Sequence, residues 1–166
     1  MTYAVTSPEP SPENRYHRDH VVLLSSSYTR WTGRPLLNLD SKSIDDLARN
    51  LYEAPCVLLS HGIQKDPIFT YGNRTAQRLF AVSWAELINM PSRSSAEPVA
   101  QAERDRLLAR VKQYGYVDDY SGVRIARTGQ RFFVSQAIVW NLIDDHHAHM
   151  GQAAYFEEWL PLDGAV

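Results

Sequence analysis

The chain has 166 residues, 44% hydrophobic and 22% charged, with 17 Lys and Arg against 19 Asp and Glu for a formal charge of −2. That length suits one domain able to bury a core without cross-links, and the scattered cations exclude the clustered positive stripe that phosphate-backbone binding requires. The one cysteine, Cys56 in the apolar run CVLLS, excludes an intramolecular disulfide and a cysteine-based zinc site, and reads as a small packed hydrophobe.

In chain order, the N-terminus MTYAVTSPEPSPEN has no basic start followed by an apolar stretch. Nowhere do about 18 apolar residues run together as a membrane span requires, so a cytoplasmic protein without membrane attachment is expected. Ser7 to Pro12 carry three prolines and two serines with nothing apolar to bury, which predicts a disordered tail over residues 1–13. From Asn14, a capping residue, Tyr16, His20, Leu23, Leu24, Tyr28 and Trp31 recur at helical spacing until Gly33 and Pro35. A second helix is capped by Ser43, carries Ile44, Leu47, Ala48 and Leu51 on one face, and stops at Pro55. Residues 14–54 therefore form a helical appendage, and residues 55–166 the core.

The short runs CVLLS and PIFTY, separated by the turn formers of HGIQKD, predict the first two strands. Asn73 caps the next turn, where Ala76, Leu79 and Phe80 share a face. Ser83 with Glu86 forms a capping box ahead of WAELI, and Ser94 with Glu97 a second. The longest helix of this half spans about Val99 to Tyr114, turning Leu107, Leu108, Val111 and Tyr114 inward and ending at Gly115. The last third, YVDDYSGVRI, RFFVSQAIVWNLI and GQAAYFEEWL, predicts an antiparallel meander. The middle strand is apolar on both alternating registers: Phe132, Val134, Ile138, Trp140 and Leu142 on one, Phe133, Val139 and Ile143 on the other. Both sheet faces are then covered, one by the short helices and the other by the N-terminal helix or a second copy.

The order of strand, strand, short helices, long helix and three-stranded meander resembles the PAS fold: α+β, a five-stranded antiparallel sheet with short helices on one face. The wording is similar to the MEKHLA domain in SHGIQKDPIFTYGN, LFAVSWAEL, PSRSSAEP, ERDRLL, GYVDDYSGVRI, VWNLID and GQAAYF. This resemblance covers the chain from about Tyr16 onward. It implies a domain found at the C-terminus of plant class III homeodomain-leucine zipper factors and as stand-alone bacterial and algal proteins, with a role in sensing and dimerisation. The chain resembles the stand-alone form, whose output passes through a partner or its own assembly state.

Cofactor-bearing PAS modules leave marks in sequence. A flavin light sensor needs an Asn-Cys-Arg stretch after the second strand, haem a His on the long helix, and a cinnamate thioester a Cys in the later half. None occurs here, so the cofactor is left unknown.

Seven residues are candidates for a ligand site. Tyr71 packs or lines the pocket. Asn73 caps a helix or faces the pocket. Arg93, among capping serines, pairs with Glu97 or holds an anion. Strand alternation places Asp118 and Arg124 on one face and Asp119 on the other, so one carboxylate faces inward, as an ion-pair partner, a ligand acceptor or a base. Trp140 is core or pocket wall. No metal site is assigned to the run Asp144 to His149, which sits at a hairpin tip with no distant ligand to close a shell. No catalytic residue is assigned either, because no Ser or Cys next to His61 is identifiable as a nucleophile. The function expected is a sensory or regulatory module that binds a small ligand, a protein partner or both, and forms a homodimer. The alternative is a small α+β lyase, isomerase or hydrolase with Asp118, Asp119 or His61 as base.

Overall fold

Side-chain caps set the short helices of the computed structural model, which describes residues 7–37 and 43–162. The Ser43 hydroxyl accepts from Asp46 N at the start of α2 (Ile44–Glu53), α1 being Arg18–Thr32. Asn73 caps α3 (Arg74–Phe80), and the Ser83–Glu86 capping box starts α4 (Trp84–Leu87). A 3-10 turn over Ser92–Ser95 and another over Pro98–Ala100 lead into α5 (Gln101–Tyr114), which Gly115 ends at a positive φ. The second capping box expected at Ser94 does not organise this region. Glu97 pairs instead with Arg131 at 3.7 Å. Tyr114, expected inward, is 66% exposed.

Six strands form one antiparallel sheet: β1 (Val57–His61), β2 (Phe69–Gly72), β3 (Tyr116–Ile125), β4 (Arg131–Ile143), β5 (His149–Phe156) and β6 (Glu158–Pro161). Their order is β2-β1-β5-β4-β3, with β6 on the first half of β4. Residues β5 and β6 keep one register along β4, Ile138 opposite Tyr155 and Ser135 opposite Glu158, so the expected last strand is a single ribbon interrupted at Glu157.

Opposite that break, Gln136 adopts a positive φ of 53° and bulges out of β4. The bulge reverses which register faces which side. Phe132, Val134 and Ala137 pack with Phe80 and Phe156 on the inner face. Trp140 and Leu142 pack with Val21, Leu24 and Tyr28 on the outer face. The register that placed Phe132 and Trp140 on one side thus does not survive, while its inference that both faces are covered does.

The cover on the outer face is α1. Trp140 Nε1 donates to Leu24 O (3.2 Å), Trp31 Nε1 donates to Asn141 O (3.0 Å), and Ser27 Oγ both donates to Ile143 O and accepts from Ile143 N. Upstream, Ser7–Glu13 pack on the fold, contrary to the mobile tail expected there; residues 1–6 of that tail lie outside the described residues. Trp84 Nε1 donates to Ser7 O at 2.9 Å, Asn14 Nδ2 donates to Glu9 O at 2.8 Å, and the Tyr52 hydroxyl donates to Glu9 Oε1. Between this segment and α1, Arg15, Tyr16 and His17 make a left-handed turn, each with φ between 53° and 56°. Such residues cost roughly 1–2 kcal/mol each. Burying Val21 and Leu24 at about 1.5–3 kcal/mol each, with the mostly buried Tyr28, offsets a cost of that size.

Candidate functional site

Between the inner face of the sheet and α5 lies a cavity of about 80 Å³ that is partly open to solvent. Its walls are mostly apolar: Leu59 of β1, Phe69 of β2, Phe80 of α3, Leu107 of α5, Val134 of β4 and Phe156 of β5. Its polar residues are Arg104, Arg124, Ser60, Ser92, Ser95, His61, Tyr120 and Gln152, and no Asp or Glu among the described residues lines it.

Arg104 is the unusual member, at 7% exposure. It lies on the inward stripe of α5 with Leu107, Leu108 and Val111, at the i, i+3, i+4, i+7 spacing of a buried helix face. Its Nη2 donates to Ser92 Oγ, and Ser95 Oγ donates to Ser92 O at 2.7 Å, so the 3-10 turn and α5 hold the guanidinium together. The carboxylate paired with it, Asp105 at 3.5 Å, has a side chain that is 71% exposed. Desolvation lowers the Arg104 pKa, and the nearby Arg124 lowers it further, while Asp105 and Asp66 oppose both. The charge is therefore only weakly compensated, in a setting where an unpaired charge is costly.

Two further groups on the wall lack partners. His61 Nδ1 lies 3.0 Å from Gly62 O; a carbonyl only accepts, so Nδ1 carries the proton and Nε2 presents a lone pair. That Nε2 is buried with no hydrogen-bond partner among the described residues, as is the Tyr120 hydroxyl. Burial is the main cause that lowers the His61 pKa, with Arg104 and His149 adding to it against the bond to Gly62, so the neutral ring is favoured. The Arg124 guanidinium stacks over the Tyr120 ring at 5.2 Å, and the Tyr120 hydroxyl occupies space that a Cβ on Gly122 would need, 2.4 Å away.

Of the seven residues singled out in the sequence, Arg124 alone lines this cavity. Asn73 is fully buried and spends its side chain on backbone: Oδ1 accepts from Ala76 N and Leu58 N, and Nδ2 donates to Leu51 O and Cys56 O. Tyr71 and Trp140 are buried in the outer core under α1. Arg93 is exposed and pairs with Asp66 at 3.0 Å rather than with Glu97. Asp118 and Asp119 are both exposed, and Asp119 pairs with Arg110 at 3.8 Å. The inward carboxylate is not there, because β3 changes register on β4 between Val117 and Gly122, where alternation fails. Sequence reasoning passed over Arg104, although a cation on the apolar stripe of the longest helix was the signal that could have found it.

At the tip of the β4–β5 hairpin, Asp144 Oδ1 accepts from His146 N (2.8 Å) and Ala148 N (2.9 Å), a local turn in a solvent-exposed loop. No group of three or more metal-ligating side chains occurs among the described residues. No helix among them is long and apolar enough to cross a membrane.

Solved structures place the fold. A PAS domain from Colwellia psychrerythraea is similar with a TM-score of 0.58 at 12% identity, over 68% of this chain and 92% of that one. An RNA-binding light-oxygen-voltage receptor is similar with a TM-score of 0.59 at 15% identity, over 78% and 36%. The light-state dimer of the fungal blue-light photoreceptor Vivid is similar with a TM-score of 0.54 at 13% identity, over 92% and 98%. The chain has the PAS fold. The residues here do not fit a flavin held as in such light sensors. The helix after β2 has no cysteine, Cys56 is buried away from the cavity, and about 80 Å³ falls far below the roughly 300–1,000 Å³ of sites for ligands of that size.

Among curated proteins, the homeobox-leucine zipper proteins ATHB-9 and ATHB-14 of Arabidopsis thaliana are 22% and 26% identical over 140 residues, 82% of this chain. The chain spans 17% and 16% of their lengths. The profile of the MEKHLA domain matches residues 18–161, nearly the whole chain and every element from α1 to β6, and the chain belongs to the MEKHLA domain family.

Proposed function

We propose that this domain is a sensory module whose input is a small molecule held between α5 and the inner sheet face. The observation that carries this reading is the buried Arg104 beside two unpartnered polar groups, His61 Nε2 and the Tyr120 hydroxyl, on one apolar cavity. Buried side-chain groups without a partner are few in native interiors, and of the three among the described residues two face this one cavity, the third being the Tyr71 hydroxyl in the outer core. Output runs from β1 to α1. His61 lines the inner cavity, while its neighbour Ser60 hydrogen-bonds His20 of α1 through Oγ and Nε2 at 2.8 Å. A ligand that moves β1 changes the seat of α1, and with it the surface offered to a second copy or another protein. Homodimerisation through α1 in the cytoplasm is part of this reading. So is the absence of turnover: of the three candidate bases, Asp118 and Asp119 lie outside the cavity, and His61, which lines it, is read as an acceptor for the ligand.

Native mass spectrometry on protein purified from its own host tests the reading. The expected result is a small molecule retained under gentle conditions and lost on unfolding. An empty protein whose melting temperature no metabolite changes would overturn it.

A further inference from the structure

Resting on that reading, we propose that the cavity binds a short-chain hydroxy monocarboxylate, with its carboxylate on the Arg104 guanidinium and its hydroxyl donating to His61 Nε2. The charge argument comes first. Among the described residues two arginines line the cavity and no carboxylate does. The acids that act on Arg104 sit elsewhere: Asp105 is mostly in solvent, and Asp66 is engaged by Arg93. Glu103 acts on Tyr120, and no ion pair joins it to either arginine among the described residues. One negative charge would complete the site, and a guanidinium recognises a carboxylate through paired N–H donors.

Donor and acceptor matching narrows the class. The Tyr120 hydroxyl is free to donate, which suits an anion. His61 Nε2 requires a donor, which a plain fatty acid lacks. Size sets the rest. A water fills at least about 10–15 Å³, so a cavity of about 80 Å³ takes at least about five non-hydrogen atoms. Lactate and 3-hydroxybutyrate are of that size, and the apolar wall of Leu59, Phe69, Val134 and Phe156 accommodates their methyl ends.

The test is calorimetric titration and thermal shift of the full chain with lactate, 3-hydroxybutyrate, butyrate, lactamide and inorganic phosphate. The hydroxy acids are expected to bind, butyrate about tenfold more weakly, and lactamide not detectably. Arg104→Met should weaken hydroxy-acid binding by about tenfold to a hundredfold while leaving the melting temperature of the ligand-free protein equal or higher, because replacing a poorly paired buried charge with an apolar group of similar volume relieves its desolvation. A merely structural arginine would lower that melting temperature. His61→Phe should bring butyrate and 3-hydroxybutyrate to parity. Equal hydroxy-acid binding in wild type and Arg104→Met would overturn the assignment, as would preference for phosphate or lactamide. If native mass spectrometry finds a neutral or cationic molecule in the cavity, the carboxylate assignment falls and the sensory reading stands. If nothing binds at all, both fall.

Discussion

His20 of α1 and Ser60 of β1 share a hydrogen bond of 2.8 Å between Nε2 and Oγ, and the same hydroxyl contacts Thr70 Oγ1 at 2.8 Å across to β2. The ring also lies 5.7 Å from that of Tyr71. Burial, helped by the nearby His17, lowers the His20 pKa to about 4, so the folded state holds the neutral ring. Below the ordinary histidine value of about 6.5 the unfolded chain takes up a proton that the native state refuses. Stability is therefore complete above that value and falls as pH drops from about 6.5 to about 4. The ceiling on the loss is about 3 kcal/mol. His61 and His149, whose pKa values are also lowered, add slopes of the same sign. His20→Gln, which can still bond Ser60, should flatten part of this slope in urea unfolding curves across pH 4 to 7. An unchanged slope in the variant would place the titration elsewhere.

Asn73 joins α3, β1 and the end of α2 through one amide. Replacing it by Ala strands two backbone N–H groups and the Cys56 carbonyl in the core, while Leu51 O keeps its bond from Ala54 N. Each buried unsatisfied group costs about 1–3 kcal/mol, so a total on the order of 4 kcal/mol is expected after partial relaxation. Asn73→Asp keeps the shape and both acceptor bonds but turns a carboxylate oxygen toward Leu51 O and Cys56 O, and should destabilise at least as much. Chemical denaturation measures both. A loss under about 1 kcal/mol for Asn73→Ala would mean that the cap alone matters.

How far the fold could be read depended on the range of the interaction. The caps at Ser43, Asn73 and Ser83 bond backbone three residues away, and all three were legible. The longer reach of Asn73 to Leu51 and Cys56 was not. The face reversal in β4 was hidden because Gln136, not a glycine, takes the positive φ, with its N–H on Ser121 Oγ at 3.4 Å in the neighbouring strand. The site was less legible still. Alternation sent attention to Asp118 and Asp119, where strand register slips, while Arg104 was counted only among the scattered cations although its spacing placed it beside Leu107 and Val111.

Gly151 has φ +142°, and a Cβ there would sit 2.0 Å from the carbonyl oxygen of His61. Backbone on the neighbouring strand cannot yield as a flexible side chain could. Gly151→Ala should therefore push β5 from β1 beside the cavity wall and cost on the order of 3 kcal/mol. Gly129, also at positive φ but with open space around its missing Cβ, is the control. Gly129→Ala should cost about 1 kcal/mol. Thermal melts of the two variants separate steric conflict from backbone preference, and equal losses would remove the close approach as the cause.

Ser27 is 1% exposed and gives both functions of its hydroxyl to one residue, donating to Ile143 O at 3.2 Å and accepting from Ile143 N at 2.9 Å. Ala at this position removes both bonds and leaves two backbone groups of β4 unpaired, a loss of about 2 kcal/mol. Because those bonds tie α1 to the end of β4, part of the loss should appear as local opening of the helix rather than as global unfolding. Hydrogen exchange should accelerate in α1 and at Ile143 more than in the β1–β5 pair. Uniform acceleration would mean that α1 and the sheet open only together. Under the sensory reading, selective opening has a further consequence. A helix that detaches separately is the element through which occupancy of the inner cavity can be passed outward, and a ligand that tightens β1 against His20 should slow exchange in α1 of the wild type. The same ligand should slow it less in His20→Gln, where the contact with β1 is altered but the cavity is intact.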